Sequence, residues 1–339
     1  MTPNPSSDRE PNQSRQYGRR TALTTFAAAG VTSFSGCLDI LSGDTTASPS
    51  DTGGDDNMDG TPAATATSGY SLPEYTKWAY PKGTRDASST YTLRQFDPQA
   101  IINNDASLLD GVRDLMDRHM ADLELFIGEV ASPEDTESLV VVDGNRIYNG
   151  PWSAVEIEDS VSAFMEVEAA GELGEYKLYE DTDANEGIAV TDGQLVVGRF
   201  KDNEAPDMES GVKVVKTIIN TRAADAPQYG DDNAGFEALL DGAEVGYYNQ
   251  TIIETNPDQE TAYDFRDLKG MLGSHLTLQL EGDGTAGAFR VLFGSAESAS
   301  EQAVQDFAEQ STGVKNWTDK SVTQQTDRVF TITGTVPTE

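Results

Sequence analysis

Leu139-Val-Val-Val-Asp-Gly-Asn-Arg-Ile-Tyr-Asn149 consists of two β-rich runs, 139–142 and 145–149, joined by Asp143-Gly144. Val, Ile and Tyr suit a pleated, half-buried surface, and an Asp-Gly pair accepts the positive φ of a two-residue hairpin turn. The same pattern returns 49 residues later, with residues 188–191, Asp192-Gly193 and residues 194–200. Hairpins closed by tight turns require antiparallel pairing, so a parallel doubly wound sheet is not expected.

The flanking segments change period from two to about 3.6. Leu108, Val112, Leu115, His119, Leu123 and Phe126 recur at helical spacing, which predicts a helix starting near Asp105. Ser153-Ala-Val-Glu156 is a capping box opening a helix with Ile157, Val161, Phe164 and Met165 on its core side, and Gly171 as its stop. Residues 176–180 resemble a strand. Pro206 opens a helix with Met208, Val212, Val215 and Ile219 on one face.

After the polar stretch 221–233 a similar series follows. It predicts a short helix near 236–240, a strand at 245–253, a helix around 265–272 and a strand at 276–280. Glu281-Gly-Asp-Gly284 then turns the chain into a strand at 288–293. Ser298-Ala-Ser-Glu301 is a second capping box, with Val304 and Phe307 behind it, and strands near 321–325 and 328–336 close the chain. The expected fold is α+β, with antiparallel sheets and helices packed on one face. It is divided into two similar layered halves, 71–225 and 226–339, with a ferredoxin-like connection.

Charge narrows the setting. The 339 residues carry 58 Asp and Glu against 23 Lys and Arg, a formal net charge of −35. Such a surface repels nucleic acid and anionic lipid, so a polyphosphate partner is not expected. It also strains the folded state at ordinary ionic strength, whereas molar salt shortens the Debye length to roughly 3 Å. The carboxylates are spread along the whole chain, and the composition resembles that of haloarchaeal proteins.

Residues 1–37 look like an address. Arg19-Arg20 precede a short apolar run, 21–34, that is too weak to span a bilayer, and then comes Phe34-Ser-Gly-Cys37. The arginine pair resembles a twin-arginine signal, whose pathway exports folded proteins, although Gly18 and Ala22 depart from its preferred residues. The four residues ending at Cys37 resemble a lipobox, with Phe34 in place of the usual Leu. Cys37 is the only cysteine, which rules out a disulfide within the chain and any cysteine-cluster metal site. Residues 38–70, rich in Thr, Ser, Gly and Asp, read as a disordered tether. Leader, tether and acidic body together resemble haloarchaeal exported lipoproteins of uncharacterised families. For residues 71–339 no family with an assigned activity is recognised, so no functional residues carry over.

Chemical motifs are sparse. Asp181, Asp183, Asn185 and Asp192 have the alternating oxygen spacing of a calcium loop, but Glu186 stands where such a loop turns on Gly. Acidic loops are also expected by chance in so acidic a chain, and the plainer reading is a solvated hairpin loop. His119 lies on the apolar seam of its helix and His275 begins a strand, so both read as satisfied core or boundary histidines. GxSxG, HExxH and GxxxxGK[ST] are missing from the sequence, and no catalytic residue or cofactor is assigned.

Asn249-Gln-Thr251 and Asn316-Trp-Thr318 match the N-glycosylation acceptor. Trp78, Trp152 and Trp317, the Tyr-rich segment 70–91 and Tyr247-Tyr248 are candidates to line a ligand cleft, against the plainer role of core packing. The expected protein is exported and held on the outer face of the cell membrane through its lipid. There it would be a non-enzymatic binder of a small ligand or envelope component. Two alternatives stay open: an extracellular carboxylate-dependent hydrolase, and a structural envelope component without a pocket.

The anchor is tested at one atom. Cys37→Ser should move the protein from the membrane fraction to the medium; retention that resists this change refutes lipidation at Cys37.

Overall fold

In the computed structural model both Asp-Gly pairs make tight turns. Asp143 and Gly144 carry φ of 51° and 89°, the two positive values of a type I′ hairpin, and Gly193 has φ 73°. The structure describes residues 71–81, 90–104, 110–128, 132–199, 210–226, 228–254, 268–282 and 284–337. Arg19, Arg20, Cys37, the tether 38–70 and the helix starts at Asp105 and Pro206–Met208 lie outside the described residues.

The strands are β1 (Thr90–Phe96), β2 (Ser138–Val142), β3 (Asn145–Asn149), β4 (Glu168–Leu173), β5 (Tyr176–Asp181), β6 (Glu186–Thr191) and β7 (Gln194–Arg199). They continue as β8 (Tyr248–Glu254), β9 (Met271–Glu281), β10 (Gly284–Phe293), β11 (Thr318–Gln324) and β12 (Val329–Val336). The helices are α1 (Pro98–Asn103), α2 (Asp110–Ile127), α3 (Ala154–Phe164), α4 (Gly211–Arg222), α5 (Tyr229–Asp232), α6 (Ala234–Leu240) and α7 (Glu301–Gln310), with a 3-10 turn at Glu74–Trp78. All twelve strands join one sheet, in the order β11-β12-β10-β9-β8-β1-β2-β3-β7-β6-β5-β4.

Every pairing is antiparallel, as the hairpins required. Antiparallel neighbours are what a ferredoxin-like connection also gives, because the parallel strands of its crossovers are separated by a third strand, as β10 and β11 are by β12. The units 71–225 and 226–339 supply β1–β7 and β8–β12, which meet in the seven-residue ladder between β1 and β8.

Helices cover both faces of the sheet, and the expectation of one covered face is corrected. Strand alternation shows why. Leu139 and Val141 join Met116, Leu123, Ile157 and Phe307 in one core, while Val140 and Val142 join Val214, Ile218 and Leu239 in the other. A run such as Leu139-Val-Val-Val142 is apolar at consecutive positions because both of its sides are buried. The side under α1, α2, α3 and α7 is called the α2 face; the side under the 3-10 turn, α4, α5 and α6 is the α4 face. The β2–β3 and β6–β7 hairpins stand side by side through β3 and β7. Their following helices, α3 and α4, pack on opposite faces, so the 49-residue correspondence stops at the hairpins.

Local signals held where side chain and backbone cooperate. Ser153 accepts from the Glu156 backbone N–H at 3.3 Å, and the Glu156 carboxylate accepts from the Ser153 backbone N–H at 3.0 Å, completing the capping box. Three other expectations are corrected. The α3 helix ends at Phe164, well before Gly171, which sits at φ 108° in the bulged edge strand β4. Its sequence, Glu-Ala-Ala-Gly-Glu-Leu, has low strand propensity and is held by its hairpin with β5. The cap of α7 is Ser300, which accepts from the Ala303 N–H, while Ser298 bonds Ser295 in the preceding turn. Met271 and Leu272, expected at the end of a helix, begin β9.

One contact places α4. A Cβ built on Gly211 would stand 2.1 Å from the Gly187 backbone nitrogen, and one on Gly187 would stand 2.2 Å from the Gly211 carbonyl carbon. The first turn of α4 thus meets β6 backbone to backbone. Gly211→Ala should destabilise the protein by about 3 kcal/mol, the upper range of overpacking. Val155→Ala, at a position 63% exposed, should stay within about 0.5 kcal/mol. Denaturant melts in molar salt read both, and an unchanged midpoint for Gly211→Ala refutes the contact.

Candidate ligand-binding cleft

Docked at its N-terminus by Gly211, α4 buries Val212, Val214, Val215, Ile218 and Ile219 against the sheet. Its last turn then brings Ile219, Arg222 and Ala223 to the edge of a cleft of about 600 Å³. The 3-10 turn forms the facing wall with Glu74, Tyr75 and Trp78. Glu175 and Tyr176, from the β4–β5 hairpin, close one end, and Val245 lies at the rim. Pro73 and Thr76 hold the 3-10 turn in place, the Thr76 hydroxyl donating to the Pro73 carbonyl at 2.7 Å.

The floor belongs to the α4 face: Gln95 on β1, Ser138 and Val140 on β2, Asn149 on β3 and Gln194 on β7. Ser138 stands opposite Asn149, and Asn149 opposite Gln194, in the strand register. Their side chains make a chain of hydrogen bonds across the sheet. The Asn149 amide donates to Ser138 Oγ at 2.8 Å, the Gln194 amide donates to Asn149 Oδ1 at 2.5 Å, and the Tyr176 hydroxyl donates to Gln194 Oε1. Gln95 Oε1 accepts from the Asn249 amide at 2.5 Å.

The walls carry charge. Arg222 meets Glu74 at 2.6 Å and lies over the Trp78 ring, 5.5 Å from its centroid, while Lys77 binds the other Glu74 oxygen at 2.6 Å. The Lys77 hydrogen bond, with Arg222 nearby, holds the Glu74 carboxyl below the usual range. Burial, with Glu175 beside it, raises the Tyr176 phenol above its ordinary value. Glu74 is therefore an ionised acceptor, and Tyr176 a neutral donor.

Of the aromatics expected to line a cleft, Trp78 does so, together with Tyr75 and Tyr176. Trp152 and Trp317 are buried in the core of the α2 face, as is Tyr248; Tyr247 is buried with its hydroxyl against Thr285. The polar floor was not anticipated. Its signal is a polar residue at buried or half-buried alternate positions of otherwise apolar strands, as at Gln95, which is 8% exposed. That signal becomes a site only once β3 and β7 are paired.

The proposed calcium ligands are not brought together. Asp181, Asp183 and Asn185 lie at the β5–β6 turn, where Asp181 accepts from the Ala184 N–H at 2.9 Å. Asp192 lies at the opposite end of β6 and accepts from the Ala154 N–H at 2.8 Å, at the start of α3. The six residues of β6 between them span roughly 20 Å. Among the described residues no three His, Cys, Asp or Glu side chains are grouped to hold a metal.

The two glycosylation triplets also separate. Asn249 is fully buried on β8, donating to Gln95 and to the Gly246 carbonyl, and is closed to modification in the folded protein. Asn316 is exposed in the turn before β11.

Beyond Asn249 the α4 face stays polar. Fully buried His275 bonds Thr251 Oγ1 through Nδ1 at 3.0 Å and Thr277 Oγ1 through Nε2 at 2.9 Å. Burial, with Arg290 beside it, holds its pKa at about 3. His119, on α2 at the other face, packs its ring edge-on to Phe96 at 5.9 Å and is likewise held at about 3 by burial and Arg146. The two histidines lie on opposite sides of the sheet and share no site.

Both folded pKa values lie below the unfolded value of about 6.5. The unfolded chain therefore binds more protons between about pH 3 and 6.5, so stability rises with pH across that window and is lost as the solution is acidified. His275→Gln keeps hydrogen-bonding capacity without the titration. It should lose less melting temperature than the parent between pH 7 and pH 4.5 in the same salt; an equal loss removes His275 as a source of acid sensitivity.

No family model and no curated protein matches the chain. Among solved structures it is similar to TP0453 in crystal forms III, I and IV, with TM-scores of 0.44, 0.41 and 0.43. Each aligns at 10% identity over 78% of this chain and 94%, 93% and 96% of the respective TP0453 chain. Likeness at this level assigns no function.

Proposed function

We propose that this is a salt-adapted lipoprotein of the outer cell surface that binds a small ligand in the cleft between α4 and the 3-10 turn. Arg19-Arg20 and Cys37 motivate the address, and the acidic composition motivates the salt. The observation that carries the binding reading is the row Ser138, Asn149, Gln194 and Tyr176, which forms a polar floor at the open end of α4. A sheet face meant only for packing would place apolar residues there, because a desolvated amide is costly unless its groups are bonded. At about 600 Å³ the cleft falls within the range of small-molecule sites, roughly 300–1,000 Å³.

Binding is favoured over carboxylate-dependent hydrolysis by the state of the carboxyls. Hydrolysis of this kind needs a carboxylic acid with a raised pKa beside a second carboxylate. Glu74 is instead held low by its cations. Glu186 has a burial-raised pKa, but it sits on the α2 face, paired with Arg199 at 3.0 Å.

The test is a set of thermal melts of the full chain in molar NaCl against amino acids, short peptides, sugars and divalent cations. A ligand at a hundredfold excess over its Kd adds about 2.7 kcal/mol, so a true ligand raises the melting temperature. Gln194→Ala should weaken that shift. No shift across the panel, or a shift that Gln194→Ala leaves intact, refutes binding in this cleft.

A further inference from the structure

We infer that the ligand is a neutral, polyhydroxylated molecule of the saccharide class, an inference that rests on the cleft being the binding site. Within the ladder, Ser138 Oγ accepts from Asn149, Asn149 Oδ1 from Gln194, and Gln194 Oε1 from Tyr176. Gln95 Oε1 is committed to Asn249. An amide nitrogen has two N–H groups and a hydroxyl is both donor and acceptor. The floor therefore keeps the Ser138 O–H, one N–H each on Asn149 and Gln194, and the Gln95 NH₂ group for a ligand. Acceptors stand around it: the Tyr176 phenol oxygen and the carboxylates of Glu74 and Glu175.

Mixed donors and acceptors at close spacing suit groups that are themselves both, and a sugar carries several such hydroxyls. The competing classes fit less well. An anion would meet Glu74 and Glu175, with Arg222 already paired to Glu74 at 2.6 Å. A cation would meet the same Arg222 and a floor of N–H donors. An apolar ligand would leave the floor amides desolvated without partners, which is costly. Val140, Ile219 and Val245 supply the apolar surface that the C–H groups of a sugar ring need. In the concentrated salt this composition calls for, charge recognition is screened beyond roughly 3 Å, whereas direct hydrogen bonds between neutral groups persist.

The experiment is isothermal titration of the full chain in molar NaCl. Glucose, N-acetylglucosamine and the linear trimers of each are titrated beside glycine, trialanine and sodium acetate. The expected result is saturable binding of at least one sugar, weakened at least tenfold by Gln194→Leu and by Asn149→Leu. The fully O-methylated form of the same sugar keeps the ring but loses its donors and should not bind; this arm needs no variant to fold. If only glycine, trialanine or acetate binds, and Gln194→Leu weakens it, the saccharide inference falls while cleft binding stands. Sugar binding that survives both variants, or that the O-methylated form matches, overturns recognition by the ladder. Silence from every probe overturns the saccharide inference, and the broader melts then decide whether the cleft binds at all.

Discussion

Strand β1 pairs with β2 on one side and β8 on the other, and its ladder to β8 joins positions as distant as Gln95 and Asn249, 154 residues apart. Through this one pairing, two runs of hairpins become a single sheet of twelve strands. A central strand cannot leave either side in water when Leu93 and Phe96 point to opposite faces and both are fully buried. Both faces must therefore be covered, and helices are shared between them: α1, α2, α3 and α7 on one, α4, α5 and α6 on the other. The two-sided cover and the cleft at its margin both depend on this constraint.

The cleft lies where the cover of the α4 face runs out. The Gly187–Gly211 contact lets α4 lie close on β6, and eleven residues later the helix ends at Arg222, at the cleft that β2 and β3 residues also line. Apolar side chains under the body of α4 give way to Ser138, Asn149 and Gln194 at its end. Hydrogen bonds running sideways along the register satisfy part of these groups, which is what lets a sheet face carry them without a covering helix. Arg222 completes the wall by joining Glu74 and stacking on Trp78, so a helix end and a 3-10 turn 148 residues away in sequence are tied at the edge of the cleft.

Polar burial on the α4 face continues past the cleft to His275, with Thr251 and Thr277 on its two ring nitrogens. It resembles a site in composition, yet every polar atom of the imidazole is matched by a hydroxyl and the ring is neutral. The cleft floor differs because the bonds among Ser138, Asn149, Gln194 and Tyr176 use only part of their hydrogen-bonding capacity, and these residues line the cleft. Unused hydrogen-bonding capacity, rather than polarity, distinguishes recognition from packing.

Local chemistry was legible in the residues. Asp143-Gly144 had to turn because the pair accepts positive φ, and Ser153 with Glu156 had to open a helix because each bonds the other's backbone. Contacts spanning few residues act wherever the chain is placed. Longer relations depended on the register of the assembled sheet. A helical stripe on α3 or α4 says that one side is buried but not which face of the sheet buries it, so cover on both faces was missed. Glu-Ala-Ala-Gly-Glu-Leu173 follows no strand pattern and is a strand because β5 lies beside it. Asp181 and Asp192 shared a spacing that suited a metal loop, and an extended β6 drew them to opposite ends. Trp78 could be named as a cleft candidate from its type, as could Trp152 and Trp317, which are core residues. Asn149 and Gln194 could not, because residues 45 positions apart become neighbours only when β3 pairs with β7.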